Sequence, residues 1–446
     1  MDRRELIDQA LRGVEAWERK WGPFSPAAAG RPEIDLPALL DGYAARMDAS
    51  FPFFHPRYAG QMLKPPHPVA VAAYLAAMVV NPNNHALDSS QATSPMEVDV
   101  IAELSRMFGF AEPSLGHLTS SGTIANLEAL WVARELAPGK AVVHSQDAHY
   151  THGRMCQVLG VESRAVPALP DGRVDLDAVE AEVRRGDVGT VVLTSGTTGL
   201  GAVDDIQRAL AVKERHGIRL HIDGAYGGFF ALLGEHEAYR AIGGCDSVVV
   251  DPHKHGLQPY GCGAVLFADP GVGRFYKHDS PYTYFTSEDL HLGEISLECS
   301  RAGAAAGALW LTLQAFPLER DRGLGGVLAA CRRAAGDFAG RIKESERFTL
   351  HLEPTLDIVT YWPRHARMSE ISQASNAILQ NGMADPENPV YLSTLRVGAD
   401  AFTALHPDVE RDADSVTILR SVLMKPEHEG WVPQLHEAIE KLAEPR

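Results

Sequence analysis

Two residues that could carry out covalent chemistry each follow a short apolar run of the chain. Lys254 closes Asp251-Pro252-His253-Lys254 and follows 247–250, a run that predicts a buried strand. Asp223 follows a second strand-like run, 218–222. A lysine at such a strand end is partly desolvated, which makes its amine a nucleophile that can hold a carbonyl as a Schiff base. Pyridoxal phosphate needs this pair, because the lysine takes its aldehyde and the carboxylate takes its pyridinium nitrogen. A turn-capping aspartate and a solvated lysine are the ordinary alternatives.

A site for a phosphate group is predicted where a helix begins. Thr119-Ser120-Ser121-Gly122-Thr123 precedes the helix-like run 124–130. Ser121, Gly122 and Thr123 would offer N–H groups, hydroxyl groups and the positive end of the helix dipole. Taken alone, the same residues fit an ordinary helix N-cap better.

His149 follows the strand-like run 140–144 and could lie flat on a cofactor ring. Ala225, in the loop after Asp223, is small enough to pack on the other face of that ring. His144, His149 and His152 also raise the alternative of a metal site. They lack a carboxylate or cysteine at customary zinc spacing, so we predict no metal.

A hydroxyl-rich loop, Leu193-Thr194-Ser195-Gly196-Thr197-Thr198-Gly199-Leu200-Gly201, resembles the phosphate loop of adenylate-forming enzymes. The Pro-Lys-Gly that completes such a loop is missing. Thr197 or Thr198 could instead orient Asp223 or touch the cofactor ring. We keep adenylation as the alternative without pyridoxal phosphate and rank it lower.

The elements that would position these residues alternate between helix and strand. Helix-like runs cover 124–135, 176–185 and 206–216. Strand-like runs cover 140–144, 189–194, 218–222, 247–250 and 263–267. Such alternation predicts an α/β fold with a mostly parallel sheet between helices, and sites in such sheets form at the carboxyl ends of the strands.

Three domains are predicted: an N-terminal helical segment over 1–62, a large cofactor-binding domain over 63–322 and a small domain over 323–446. The first contains helix-like stretches at 1–20 and 36–47. After helices at 302–316 and 327–344, strand-like runs at 349–352, 358–362 and 391–397 make the last domain α+β.

Bulk composition is ordinary for a globular protein, with 45% hydrophobic and 22% charged residues among 446. The net charge of −17 opposes nonspecific attraction to nucleic acid or to an anionic membrane. Five scattered cysteines without a Cys-x-x-Cys pair predict reduced thiols and a cytoplasmic location. The start of the chain lacks a signal-peptide pattern, and the longest apolar run, 69–80, is too short for a membrane span.

Taken in order, the motifs resemble the group II pyridoxal-phosphate amino-acid decarboxylases over about 56–317. The markers are Thr119-Ser120-Ser121-Gly122-Thr123, Ala148-His149-Tyr150, Gly196-Thr197-Thr198, Asp223-Gly224-Ala225-Tyr226, Asp251-Pro252-His253-Lys254 and Leu297-Glu298-Cys299-Ser300-Arg301. The resemblance implies fold type I, with a seven-stranded sheet in the large domain, a small C-terminal domain and an N-terminal helical arm.

The resemblance also assigns roles to residues. Lys254 would form the Schiff base, Asp223 would pair with the ring nitrogen, and His149 would stack on the ring and assist protonation opposite Ala225. The remaining cofactor-binding residues would be Ser121, Gly122, Thr123 and His253 at the phosphate and Thr197 near the ring.

The resemblance further implies a homodimer with a shared active site and an amino-acid substrate. Tyr282 or Tyr284 would protonate the substrate carbon or line the partner's site. The chain departs from the aromatic decarboxylases after Lys254, where no Trp follows. Its Lys-x-Gly-x-x-Pro pattern is closer to archaeal tyrosine/aspartate decarboxylases and sphingosine-phosphate lyases. Ile124 also replaces an acidic residue common in the family, and both departures bear on the substrate.

The predicted reaction is decarboxylation of an L-amino acid to the amine and CO₂. A carbon–carbon lyase and an aminotransferase remain alternatives, the latter needing a carboxylate-binding arginine such as Arg301 or Arg396. The substrate preference rests on residues of the region that lines the pocket in relatives. Aromatic side chains there favour an aromatic substrate such as tyrosine, and the asparagines favour a polar one, with acidic amino acids next. These residues are Phe53, Phe54, His55, Tyr58, Asn81, Asn83 and Asn84.

Overall fold

The computed structural model describes residues 1–23, 34–85, 89–277 and 296–444. These residues form α-helices and two β-sheets. The helices are α1 Arg3–Glu18, α2 Leu36–Met47, α3 Pro68–Val80, α4 Thr93–Phe108, α5 Gly122–Leu136, α6 Thr151–Leu159, α7 Leu176–Val183, α8 Ile206–His216, α9 Glu237–Ala241, α10 Gly303–Ala315, α11 Gly323–Glu344, α12 Met368–Ala384, α13 Ala399–Leu405 and α14 His428–Leu442. The strands are β1 Leu115–Thr119, β2 Ala141–Ser145, β3 Ser163–Val166, β4 Val188–Thr194, β5 Arg219–Asp223, β6 Ser247–Val250, β7 Gly263–Phe267, β8 Phe348–Leu352, β9 Ile358–Pro363, β10 Ser393–Gly398 and β11 Ser415–Val422.

The first sheet has seven strands in the order β1-β7-β6-β5-β4-β2-β3. Only β7 runs against its neighbours, and the pairs from β6 through β3 are all parallel. The prediction of a mostly parallel, seven-stranded sheet is therefore confirmed. Its central strands are buried on both faces, as parallel sheets covered by helices require.

Helices pack on both faces of this sheet. In β6, Val248 and Val250 join the large core cluster on one side, while Val249 joins Ala125 and Ala129 of α5 on the other. This alternation follows from the two-residue period of a strand. Helices therefore pack on both faces of the central strands, and this packing fixes the position of the strands' carboxyl ends.

The second sheet is antiparallel, in the order β10-β11-β9-β8, and α11, α12 and α14 pack around it. At the other end of the chain, α1 packs on α3 and α3 packs on α10. Helix α2 buries none of its residues. The domain boundaries after 62 and after 322 stay predictions.

Most predicted elements lie within a few residues of observed ones, but three strands were missed. Strand β3 is short and largely exposed, and β1 is short and contains a glycine. Strand β11, in contrast, is eight residues long and carries an apolar pattern. None of the helices among the described residues is long and apolar enough to cross a membrane.

Candidate active site

A cavity of about 280 Å³ opens at the carboxyl ends of the central strands. This is near the lower end of the range for small-molecule sites. The turns after β4, β5 and β6 and the starts of α5 and α6 form its wall. The lining residues are Ser121, Gly122, Thr123, Asn126, His149, Tyr150, Thr151, Thr194, Gly196, Thr198, Asp223, Ala225, Tyr226, Asp251, His253 and Lys254.

The start of α5 forms one end of the cavity. Ser121 is the N-cap, and its Oγ accepts a hydrogen bond from the Ile124 N–H at 3.3 Å. Gly122 leaves room for Asp251, since a Cβ at Gly122 would lie 2.6 Å from the Asp251 Oδ2. The N-cap interpretation and the phosphate-site interpretation therefore describe the same residues.

Lys254 lines the cavity with its side chain 22% exposed, so its amine is reachable from the cavity. Its Nζ lies 3.1 Å from Oδ2 of the buried Asp251. His253 donates from Nδ1 to the Cys262 carbonyl at 2.7 Å, and its Nε2 lies 3.5 Å from the Asp251 Oδ2. Burial lowers the pKa of His253, and the charge of Asp251 opposes that change. The Oδ1 of Asp251 has no hydrogen-bond partner among the described residues.

Asp223 ends β5 and is almost fully buried. Its Oδ2 lies 2.8 Å from Nε2 of His152, and its Oδ1 accepts from the Ala225 N–H at 3.2 Å. Burial alone would raise the pKa of Asp223. The hydrogen bond from His152 and the positive charges of His152 and Lys254 outweigh burial, and the pKa lies below its ordinary value. An ionised carboxylate therefore stands in the cavity wall.

His149 lies just before α6 and is half-buried. Its Nδ1 lies 2.6 Å from the Thr151 hydroxyl and accepts from the Thr151 N–H at 3.3 Å. Because Nδ1 accepts this hydrogen bond, the proton of the neutral ring is on Nε2. Burial also lowers the pKa of His149, which favours this neutral form.

The cavity also has an exposed aromatic side. The Tyr150 ring is 66% exposed, and its centroid lies 4.3 Å from that of His149. The guanidinium of Arg154 lies 4.6 Å from the centroid of the Tyr150 ring. This side of the cavity was not anticipated from the sequence.

The structure brings most of the predicted site residues together around this cavity. Thr197 is an exception, since its side-chain oxygen accepts from the Ala202 N–H at 3.0 Å and the neighbouring Thr198 lines the cavity instead. Tyr282 and Tyr284 lie outside the described residues. The catalytic and binding roles of all these residues stay predictions.

The two arginines proposed from the sequence for a substrate carboxylate do not line the cavity. Arg301 is buried and bonded to Glu97 and to the carbonyls of Leu118 and Asn84. Arg396 is exposed, and its Nε donates to the Ser415 hydroxyl at 2.7 Å.

Arg420, on β11, was not singled out from the sequence. It is 3% exposed, and its Nε donates to the carbonyl of Gly199 at 3.1 Å, next to the cavity-lining Thr198. Its Nη2 is buried and has no partner among the described residues. It is therefore a buried cation with a free donor beside the loop after β4.

The N-terminal residues considered for substrate preference do not line this cavity either. Phe53 and Tyr58 pack edge to face, with centroids 4.9 Å apart. Asn83 donates to the Ser300 hydroxyl, and Asn84 donates to Glu97 of α4.

Several cavity residues were missed in the sequence, although some followed recognisable strand ends. Thr194 ends β4, a position comparable to that of Asp223 on β5. Asn126 lies one turn into α5, and its Nδ2 donates to the Gly122 carbonyl at 2.8 Å. Thr151 lies in the first turn of α6 and lines the cavity, and its neighbour His152, which does not line it, is brought to Asp223 only by tertiary structure.

These residues fit pyridoxal phosphate. Ser121, Gly122 and Thr123 at the N-terminus of α5 line the cavity, where a phosphate could meet the helix end. The wall contains buried polar atoms that have no hydrogen-bond partner within the described part of the chain, among them the Oγ1 of Thr194 and the Oδ1 of Asp251. An amine and an ionised carboxylate reach the same space from Lys254 and Asp223. Within the described residues, no three His, Cys, Asp or Glu side chains are grouped to hold a metal.

Comparison with known proteins identifies related sequences. The family model "Pyridoxal-dependent decarboxylase conserved domain" matches residues 53–364. The L-tyrosine decarboxylase of Enterococcus faecium is 29% identical over 67% of this chain and 66% of its own length, just under two thirds. A probable L-aspartate decarboxylase of Halobacterium salinarum is 33% identical, over 63% of this chain and 79% of its own. A probable L-tyrosine/L-aspartate decarboxylase of Methanopyrus kandleri is 29% identical, over 82% and 95%.

Solved structures share the fold. The structure of mouse CSAD in apo form has a TM-score of 0.79 at 21% identity and covers 99% of both chains. Tryptophan decarboxylase of Catharanthus roseus, in complex with L-tryptophan, has a TM-score of 0.77 at 18% identity and also covers 99% of both chains. At this identity the likeness concerns the fold.

Proposed function

Because the chain belongs to the family of pyridoxal-dependent decarboxylases, and is an amino-acid decarboxylase that uses pyridoxal phosphate, we propose that its substrate is an L-aromatic amino acid such as tyrosine. Acidic amino acids come second. The observation that carries the site assignment is the meeting of Lys254, Asp223 and His149 around one cavity. Three separate segments deliver these side chains, with Asp223 at the end of β5 and the other two a few residues after strands of the same sheet.

Each residue of the cavity would have a role that follows from its position. When bound, pyridoxal phosphate supplies an aldehyde that captures an amine and a ring that withdraws electrons from the bond to be broken. Lys254 presents the amine, and Asp251 keeps that amine against the wall. Asp223 provides a fixed negative charge. The start of α5, with Ser121, Gly122 and Thr123, would hold the phosphate.

His149, in its neutral form, presents an Nε2–H that can donate a hydrogen bond. Together with Ala225 it would confine a flat ring from two sides, as the resemblance implies. Proton delivery to the substrate carbon stays assigned to His149 with Tyr282 or Tyr284 as a proposal.

An aromatic substrate is supported by the Tyr150 ring. An aromatic ring 66% exposed at a cavity wall is available to stack on a substrate side chain. The relatives named as tyrosine decarboxylases agree with this preference.

An acidic substrate is the second candidate because of Arg154. Its guanidinium lies over the Tyr150 ring, and no carboxylate among the described residues pairs with it. A side-chain carboxylate entering beside Tyr150 would meet that charge. The relatives named as aspartate decarboxylases are consistent with it.

The substrate's α-carboxylate needs a cation as well, and Arg420 is our candidate. Its Nη2 is buried without a hydrogen-bond partner among the described residues, and its Nε bonds to the loop that contains Thr198. Arg301 bonds through its Nη atoms to Glu97 and to two backbone carbonyls away from the cavity, and Arg396 faces solvent.

A homodimer in the cytoplasm is also part of the proposal. Helix α2 exposes Leu36, Leu39, Leu40 and Tyr43, each by more than half of its surface, and a second copy could cover them. Light scattering coupled to gel filtration gives the mass directly. A monomeric holoenzyme at micromolar concentration would contradict the dimer.

The test of function combines absorption with CO₂ detection. Wild type should show the visible band of lysine-bound cofactor, and Lys254→Ala should lack it. Lys140→Ala, an exposed lysine at a remote edge, is the matched control and should keep the band. A wild type that cannot be reconstituted with pyridoxal phosphate would contradict the assignment of the site.

The substrate is then identified from a panel of L-amino acids. Release of CO₂ from tyrosine, with less from aspartate or glutamate, is the expected result. Arg154→Met should lower activity on acidic substrates and leave aromatic ones nearly unchanged. Activity on acidic substrates alone would make the second candidate correct. A coloured enzyme that releases no CO₂ would favour the lyase or aminotransferase alternatives.

A further inference from the structure

A buried histidine stands directly behind Asp223. His152 belongs to the first turn of α6 and is 0% exposed. Its Nε2 lies 2.8 Å from the Asp223 Oδ2, which makes it the only side chain among the described residues hydrogen-bonded to that carboxylate. His152 does not line the cavity, so any effect on the chemistry must pass through Asp223.

The neighbouring histidine cannot replace it. His221 and Asp223 share a face of β5, because they are two residues apart. The Nε2 of His221 donates to Asn126 Oδ1 at 2.8 Å, and its Nδ1 lies 2.8 Å from the Ser247 hydroxyl. Both ring nitrogens are therefore occupied. Burial lowers the pKa of His221 to about 3, so its ring is neutral at physiological pH.

The two oxygens of Asp223 have different partners. Oδ1 accepts from the Ala225 N–H, which belongs to the same turn, while Oδ2 depends on His152 from another element. Without His152, this buried carboxylate would lose its side-chain donor and could rotate. A buried carboxylate that loses a hydrogen bond is costly to keep ionised.

We propose that His152 is a positioning residue, which fixes the Asp223 carboxylate and keeps it charged toward the pyridine nitrogen of the cofactor. This inference rests on the proposed function, in which Asp223 pairs with that nitrogen. The proton stays on the ring nitrogen, and His152 exchanges nothing with substrate or cofactor.

A nearby histidine provides a matched control. The His144 ring lies 6.1 Å from that of His152, but its nitrogens bond to the Ser145 carbonyl and the Ser163 hydroxyl. It has no hydrogen bond to Asp223. His144→Leu therefore removes a neighbouring imidazole without touching the carboxylate.

The experiment reports on the ring nitrogen itself. Holoenzymes carrying pyridoxal phosphate labelled with nitrogen-15 in the ring are compared by NMR for wild type, His152→Leu, His152→Gln, His144→Leu and Asp223→Asn. The dissociation constant of the cofactor is measured for the same proteins, and circular dichroism checks their folding. A glutamine can place its amide near the position of Nε2 and donate to Oδ2.

We expect the nitrogen resonance of His152→Leu to shift toward the unprotonated position, as in Asp223→Asn. The dissociation constant of the cofactor should rise about 10- to 100-fold, the range typical when a residue that hydrogen-bonds to a binding residue is lost. His152→Gln should restore most of both properties, and His144→Leu should match wild type.

A folded His152→Leu with the wild-type resonance and affinity would overturn the inference. If leucine prevents folding, His152→Asn replaces it, because its amide is too short to reach Oδ2, and the same shift is expected. An unchanged resonance in Asp223→Asn would overturn both this inference and the cofactor assignment of Asp223. Failure of the substrate proposal would show only in CO₂ release, with the His152 shift intact.

Discussion

Two buried polar regions border the cavity, and they differ in how their polar atoms are satisfied. The Asp223 network consists of Asn126, His152, His221, Asp223 and Ser247. The Asp357 cluster consists of Lys64, Tyr226, His255, Asp357 and Arg420. Both are buried at their polar atoms, but one is held by hydrogen bonds and the other largely by charge.

In the Asp223 network, nearly every side-chain nitrogen and oxygen has a partner. Asp223 uses both oxygens, and His221 uses both nitrogens. The exception is the Nδ1 of His152. Such a network specifies one geometry, because any rotation leaves a buried group unpaired.

In the Asp357 cluster, five buried polar atoms on four residues lack a hydrogen-bond partner among the described residues. They are Lys64 Nζ, both nitrogens of His255, Asp357 Oδ2 and Arg420 Nη2. Tyr226 bonds to Asp357 at 2.6 Å, whereas His255 lies 3.3 Å from the other Asp357 oxygen without a hydrogen bond. Burial lowers the pKa of Lys64 and of His255 and raises that of Asp357 to about 6. From this comparison we expect the Asp223 network to fix a geometry and the Asp357 cluster to respond to changes in pH.

The largest effect should come from breaking the Asp223 network at its centre. Asp223→Asn replaces the charge with an amide of the same shape, so the cofactor ring loses its anionic partner. We expect kcat to fall about 10²- to 10³-fold, the loss typical of one preorganised electrostatic group. Steady-state kinetics measures it, with the exposed Asp177→Asn as control. A decrease of less than threefold would show that the network does not serve the chemistry.

The Asp357 cluster should reveal itself through pH. The folded-state pKa of Asp357 lies near 6, above its ordinary 3.8, so the folded protein holds this proton more tightly than the unfolded chain. The contribution of Asp357 to stability is then greatest below about pH 4 and is lost as pH rises to about 6. The loss amounts to about 3 kcal/mol.

Asp357→Asn should remove this dependence. Relative to wild type, the variant should become more stable as pH increases from 4 to 7, measured by urea unfolding. His255 and Lys64 contribute slopes of opposite sign to that of Asp357 in both proteins, so the difference between the two proteins reports Asp357 together with its coupling to these neighbours. Tyr226 and Arg420 also face the carboxylate and stay in both proteins. A pH-independent difference would contradict the raised pKa.

Arg420 of the Asp357 cluster, whose Nη2 has no hydrogen-bond partner among the described residues, should matter for the substrate and less for the cofactor. Arg420→Met removes the unpartnered Nη2, and kcat/KM should fall about 10- to 100-fold, as expected for a lost charged hydrogen bond of 1.5–3 kcal/mol. Arg396→Met, on the neighbouring strand, is the matched control and should stay near wild type. Equal losses in the two variants would mean that Arg420 only supports the sheet.

The smallest expected effects are changes in the free energy of unfolding, and they should differ between the Asp223 network and the Asp357 cluster. Ser247→Ala leaves the Nδ1 of His221 unpaired and should lower the free energy of unfolding by about 1–2 kcal/mol. His255→Leu removes nitrogens that have no hydrogen-bond partner among the described residues, and it should change the free energy of unfolding by less than about 1 kcal/mol. Urea unfolding at pH 7 measures both. The reverse order would contradict the assignment of which region is hydrogen-bonded.

The sequence predicted the frame of the site because its signals are local. Strand ends at Asp223 and Lys254 follow uninterrupted apolar runs, and a serine before a helix predicts an N-cap wherever it occurs. Residues 221 and 223 share a face simply because a strand alternates. These features depend on a few neighbouring residues.

The rest depends on contacts that no local pattern encodes. His152 meets Asp223 across 71 positions of sequence, and Arg420 meets Gly199 across 221. Arg301 was a candidate to bind the substrate carboxylate from the sequence, but Glu97 of α4 forms an ion pair with it. Thr197 and Thr198 differ in role because only one of two adjacent hydroxyls can point to Ala202. Strand β1 was missed because only two of its five residues, Leu115 and Leu118, are apolar.

The position of Tyr150 and Arg154 has a consequence for evolution and engineering. Both side chains are exposed, and neither is hydrogen-bonded to a described side chain that would hold the cofactor. Mutations there should carry almost no stability penalty, whereas the residues behind Asp223 tolerate few changes. Substitutions of Tyr150 and Arg154 can therefore change the substrate preference, in evolution or in a two-position library. The residues that would carry out the reaction with the cofactor stay the same.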